Sequence, residues 1–166
     1  MYSYSPKSKK KKEKLICALL LATGCALFLP STHPQTPLPM LFQLGAVILL
    51  TVALMFGGRY LARNYTYAVS SAEDGSDRLD LTVTEQYGRR LSVVCRISVD
   101  QIEVITPITP QNQKEIAAMT KGKRTFTYVS ELQPSGLRFL TVRMDEEVFY
   151  LKIDTDESLL RALTLN

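Results

Sequence analysis

The chain has 166 residues, of which 46% are hydrophobic, and carries 20 Lys and Arg against 16 Asp and Glu. Six of the basic residues (Lys7, Lys9, Lys10, Lys11, Lys12, Lys14) precede the first apolar stretch, leaving 14 Lys and Arg against 15 acidic residues from Arg59 onward. The basic excess thus belongs to a short tail and the rest is near neutral, which argues against a nucleic-acid partner.

Residues 15–58 contain no Asp, Glu, Lys or Arg. Within them, residues 15–29 (LICALLLATGCALFL) are apolar or small, rising about 22 Å as a helix, and a snorkelling Lys14 with Ser31 and Thr32 extends the reach toward a bilayer core of about 30 Å. Residues 40–58 (MLFQLGAVILLTVALMFGG) are a longer candidate span, with Gln43 near the start. The segment between them, PSTHPQTPLP, holds four prolines and suits a turn outside the bilayer. Lys and Arg flank the pair on its outer ends and are absent from the connection. The positive-inside rule then puts both termini in the cytoplasm, with two spans of about 15–31 and 40–58 in the cell (inner) membrane. Ala22-Thr23-Gly24-Cys25 also resembles a lipoprotein signal cut before Cys25, an alternative that leaves the last 108 residues on the same side.

The basic tail, residues 1–14, has no apolar periodicity and is expected to be disordered. Beyond the spans the pattern changes to β. Residues 65–70 read as a strand, and residues 72–77 (AEDGSD) as a polar turn. Residues 78–85 alternate, with Leu79, Leu81 and Val83 on one face. After the Tyr87-Gly88 turn, Leu91, Val93, Cys95 and Ile97 are expected to face inward together. A fourth strand, residues 101–106, ends at Pro107; QNQKEIAAMT favours a short helix. Strands resume at residues 124–132, 137–144 and 147–153. A terminal helix follows, with Asp154 as its cap and Glu157 completing a capping box. The expected fold class is α+β: a two-helix transmembrane hairpin, then a mainly antiparallel domain (residues 59–166) of seven strands in meander order with a C-terminal helix.

RLDLTVTEQYGRRLSVVCRISVDQIEVI, a strand–turn–strand–strand unit, and the closing DTDESLLRALTLN, together with the preceding hairpin, resemble small bacterial two-span membrane proteins with a pleckstrin-homology-like domain. The resemblance covers about two-thirds of the chain and rests on element order. It implies a binding or scaffolding module and no enzyme.

Chemistry-bearing motifs are sparse. His33 lies in the proline connection without a second histidine, and Cys17, Cys25 and Cys95 have neither metal spacing nor a C-x-x-C arrangement. No phosphate-binding loop or nucleophile elbow occurs. Acidic runs (Glu73-Asp74; Asp145-Glu146-Glu147; Asp154, Asp156, Glu157) fall at turns or a helix start, where solvation and the helix dipole account for them. No metal or other cofactor is expected. The candidate anionic-lipid contacts are Lys9, Lys10, Lys11 and Lys12 in the tail, Arg89 and Arg90 after the Tyr87-Gly88 turn, and Lys121, Lys123 and Arg124 in a loop. The expected function is a membrane-anchored module that holds a protein or peptide partner at the lipid bilayer. The alternatives are an accessory subunit of a larger transporter or enzyme complex, and an enzyme with an unrecognised site.

Overall fold

The computed structural model describes residues 2–6, 10–33, 38–72, 76 and 78–164. Lys9, part of the proline connection (34–37), and Glu73, Asp74 and Asp77 of the polar turn lie outside the described residues. The chain divides into two compact units, Ser8–Arg63 and Met1–Lys7 with Asn64–Asn166.

The first unit is a pair of helices, α1 (Lys11–Ser31) and α2 (Pro39–Phe56), the latter continued by a π-helical turn, Gly57–Leu61. Both are long and apolar enough to cross a membrane, and most of their large apolar side chains are exposed within the unit. A water-soluble helix pair would hide such a surface; here only the narrow seam between the helices is buried. Pro39 opens α2 at its first turn, where the missing N–H costs nothing. Pro30 is accommodated in the last turn of α1, further along the helix than a proline stop would suggest. α1 also begins earlier than expected, at Lys11. Glu13, buried in its first turn, supplies the acid that a helix N-terminus favours among the lysines.

In the second unit the described residues form eight strands in two four-stranded sheets. The first sheet runs β1-β2-β3-β4: β1 (Tyr2–Tyr4), β2 (Arg63–Ser71), β3 (Leu79–Tyr87) and β4 (Arg90–Ser98). The second sheet runs β5-β7-β8-β6: β5 (Ile102–Pro107), β6 (Thr125–Tyr128), β7 (Leu137–Met144) and β8 (Glu147–Asp154). A 3-10 turn, Val99–Gln101, links the sheets, and α3 (Gln113–Met119) lies between β5 and β6. The chain ends in α4 (Glu157–Thr164).

One core joins the layers. Tyr65, Tyr67, Val69, Leu81, Val83 and Ile97 from the first sheet meet Leu140, Val142, Leu151 and Ile153 from the second, with Leu159 and Leu163 of α4 closing the cluster. On the outer face of the second sheet, Ile116 of α3 covers Phe139 and Tyr150, whose rings stack at 5.1 Å. The α+β expectation holds in this form, with five corrections.

Residues 2–4, expected to be disordered, form a strand: β1 pairs antiparallel with β2, Tyr2 opposite Val69 and Tyr4 opposite Tyr67. Three residues with two tyrosines carry too little pattern to announce a strand, but a partner edge supplies the backbone hydrogen bonds. The meander fails in the second sheet, where β6 pairs parallel with β8, Thr125 opposite Tyr150. β6 is also shorter than the expected 124–132, ending at Tyr128.

The inward face of β4 changes phase. Val83 opposes Cys95 but Thr84 opposes Val93, so Val94 is an extra, bulged residue. Because side chains alternate with period two, one inserted residue moves everything before it to the other face. Cys95, Val94 and Ile97 pack toward the core, whereas Leu91 and Val93 are exposed.

Finally, Asp154 is not the cap of α4. Asp156 is: its Oδ1 accepts from Leu159 N–H at 2.8 Å. Asp154 ends β8, is buried, and its Oδ1 accepts from Gly136 N–H at 3.0 Å. Burial, the main influence, raises its carboxyl above the usual range; the Gly136 N–H opposes this and the Glu131 and Asp156 charges reinforce it. A carboxyl with a higher pKa folded than unfolded binds protons more tightly in the folded state. Its ionised form therefore costs stability above the folded pKa, and the cost vanishes as pH falls below the unfolded value. Asp154→Asn, which keeps an oxygen for Gly136, is expected to raise the melting temperature at neutral pH. That gain should shrink to nothing in acid, and a gain that persisted unchanged there would assign the effect to packing.

Candidate membrane anchor and docking surfaces

The helix seam is built from small residues. Cys17, Gly24 and Ser31 of α1 are buried at seven-residue intervals, as are Ala46 and Ala53 of α2. Seven residues are close to two helical turns, so each set forms one stripe and the backbones approach closely. A Cβ added at Gly24 would lie 3.0 Å from the Leu50 side chain, and Cys17 Sγ donates to Ala53 O at 3.7 Å. A search for Gly-x-x-x-Gly misses this seam; the seven-residue spacing of small side chains was the available signal.

Where α2 ends, Arg59 lies 5.7 Å over the Tyr60 ring, and Tyr60 packs on Phe56 at 4.8 Å. An aromatic and a cation at a span's end suit the bilayer interface.

The candidate lipid contacts separate into unlike environments. Lys10 adopts a left-handed backbone (φ 42°) before α1 and is buried. Its Nζ donates to Arg63 O at 2.7 Å and lies 3.5 Å from Leu61 O, at the end of α2's π-helical extension, where a cation is favoured. Its ammonium is thus engaged by backbone carbonyls. Lys11 and Lys12 are exposed on the first turn of α1.

Two of the loop cations are engaged by neighbouring side chains. Arg124 pairs with Glu147 at 3.3 Å, and Lys123 Nζ donates to Tyr150 OH at 3.2 Å while lying over that ring. Phe126, Met144 and Phe149 floor a groove of about 780 Å³ there, rimmed by Arg124 and the Asp145-Glu146-Glu147 turn. The parallel pairing of β6 with β8 brings the basic loop to the acidic turn, a proximity not encoded in either segment alone. Arg89 and Arg90 are exposed and make no ion pair among the described residues.

A tyrosine cluster ties the sheets together at the other acids. Tyr2 OH donates to Asp156 Oδ2 at 2.5 Å, and that bond raises the phenol's pKa. Tyr67 OH donates to Tyr128 O at 2.5 Å and accepts from Asp154 N–H at 3.3 Å, linking β2 to β6 and β8; burial pushes its pKa far up. Tyr128 OH in turn donates to Val94 O at 3.2 Å, so the second sheet satisfies the carbonyl of the bulged residue; burial pushes this phenol up to about 12. These phenols remain protonated donors at physiological pH. Tyr67→Phe is expected to lower stability by about 1.5 kcal/mol through loss of both bonds, measured by denaturant midpoint at unchanged slope. Among the described residues, no three His, Cys, Asp or Glu side chains gather as metal ligands. His33 is exposed at the end of α1.

Compared with known proteins, the chain matches no family model, no curated protein and no solved structure.

Proposed function

We propose that this chain is a membrane-anchored binding and scaffolding module, without catalysis, whose β-rich unit holds a protein or peptide partner at the cytoplasmic face of the bacterial inner membrane. One observation carries the reading. Tyr2–Tyr4 precedes the helix pair, Arg63–Ser71 follows it, and the two are neighbours in one sheet. A sheet cannot be divided by a bilayer, so the intervening chain crosses an even number of times, as two apolar helices would. The Lys and Arg on both flanks orient the hairpin inward. Cleavage before Cys25 would remove β1 and half the helix seam, which favours retention of the first span. The pleckstrin-homology-like comparison remains part of this proposal at the level of a two-sheet core closed by a terminal helix, with the parallel β6–β8 pair as a departure from a meander.

The test is a reporter pair fused after Asn166, one active only outside the membrane and one only inside, together with the intact mass of the membrane-extracted protein. Activity inside and a mass that includes Tyr2–Tyr4 are expected. Activity outside alone would refute the orientation.

A second reading, an accessory subunit packed against another membrane protein, is favoured by an apolar groove of about 410 Å³ lined by Leu27, Leu38, Leu41 and Phe42. It predicts that the helix pair alone still co-purifies with its partner after Asn64–Asn166 is deleted.

A further inference from the structure

The tip of the β3–β4 hairpin extends beyond the core of the β-rich unit. Residues 86–93 (QYGRRLSV) are exposed without interruption. Three of the eight are large and apolar: Tyr87 is 53% exposed, Leu91 70% and Val93 56%. Isolated exposed apolar side chains need no explanation, but three within seven residues of one hairpin end make a candidate contact surface.

The exposure is built into the strand. Tyr87 pairs with Arg90 across Gly88-Arg89, and Gly88 has φ +60°, so a tight two-residue turn holds the tip in shape. The bulge at Val94 then turns Leu91 and Val93 out of the core face, leaving Tyr87 on one side of the tip and the two aliphatics on the other. An element with apolar groups on both faces is suited to entering a medium tip-first and less suited to lying flat on a protein partner.

Charge selects the medium. The eight residues include two arginines and no acid, and neither arginine is engaged in an ion pair among the described residues. The other basic loop, at residues 121–124, has the Asp145-Glu146-Glu147 turn beside it and lacks this free positive field.

We propose that the β3–β4 tip docks into an anionic bilayer surface: Tyr87, Leu91 and Val93 enter the interface while Arg89 and Arg90 meet acidic headgroups. The proposal rests on the membrane-anchored reading above. A tyrosine belongs at that depth, with its ring in the apolar boundary and its hydroxyl wet. Tethering of the same chain by its helices supplies a high effective concentration, so a few shallow contacts suffice.

The chain has no tryptophan, so Tyr87→Trp introduces a single indole. The full-length variant is reconstituted in phosphatidylcholine vesicles with and without phosphatidylserine, including brominated acyl chains. A second variant, Leu41→Trp, reports separately on α2. Expected is a blue shift and bromine quenching of the indole at position 87 with phosphatidylserine only, abolished by high salt. Each of Arg89→Ser and Arg90→Ser, added to Tyr87→Trp, should lower the docked-to-free ratio about fivefold, matching about 1 kcal/mol per basic residue near an anionic surface. Quenching at position 41 but at neither lipid composition for position 87 overturns the docking and leaves the anchor standing. No quenching at either position overturns both. A blue shift that grows with protein density and ignores lipid charge overturns lipid docking in favour of a second copy.

Discussion

Gly136→Ala is expected to lower the stability of the β-rich unit by about 3 kcal/mol, at the upper end of what overpacking costs. Gly136 has no unusual φ; the reason for glycine is space. A Cβ there would lie 1.8 Å from Thr155 O and 2.8 Å from Asp154 Oδ1. The first neighbour is backbone, so no rotamer change relieves the clash. Relief requires the end of β8 to move away from Gly136, which breaks three bonds at once: Gly136 N–H to Asp154 Oδ1, and Thr155 N–H (3.0 Å) and Oγ1–H (3.2 Å) to Gly136 O. Asp154 N–H also meets Tyr67 OH, so the disturbance passes into the core tyrosine. Thermal unfolding of the full-length protein in nanodiscs, followed by the β signal in circular dichroism, measures the loss. Ser135→Ala, one residue away, serves as the control. A Gly136→Ala variant as stable as its parent would mean that the strand β8 end and the 134–136 loop are not packed as described.

The second large effect is expected in the helix pair. Gly24→Leu should separate α1 from α2, costing about 2 kcal/mol or more of their association. The Cβ position at Gly24 is 3.0 Å from two Leu50 carbons and 3.6 Å from Ala46 O. A methyl requires the Leu50 side chain to give by only a few tenths of an ångström, so Gly24→Ala is expected to be mild. A leucine has no such space and must push the backbones apart. Cys17 gives a direct readout. Its Sγ lies 3.5 Å from where a Cβ on Gly57 would sit, so Gly57→Cys in a background of Cys25→Ser and Cys95→Ser should crosslink to Cys17 on mild oxidation. The yield, read by peptide mass, should fall sharply when Gly24→Leu is added and little with Gly24→Ala. Equal yields in all three would remove the small-residue seam as the basis of packing.

Much of the candidate surface was legible residue by residue, and little of its arrangement was. Arg89 and Arg90 stood out as cations beside a turn and lie exposed at a hairpin tip, without an ion pair among the described residues. Lys123 and Arg124 looked equivalent to them, yet the parallel β6–β8 ladder sets them against Tyr150 and Glu147. Lys10 looked like its lysine neighbours and is instead spent on the carbonyls of Leu61 and Arg63. Leu91 and Val93 belonged to an unbroken alternation, and the bulge at Val94 reversed which face they occupy.

The amino-acid order alone determined whatever depends on near neighbours. It set two apolar helices of spanning length, the Gly88 turn that only a residue tolerant of positive φ makes cheaply, the alternation of β3, and the short helices α3 and α4. The tertiary structure alone decided which edges pair and which polar groups they satisfy: β1 on β2, β6 alongside β8, Asp154 on Gly136 while Asp156 caps α4. The division has a physical cause. Periodicity and turn geometry are paid within a few residues of backbone, whereas strand partners and buried hydrogen bonds are chosen among all the groups the folded chain brings within reach.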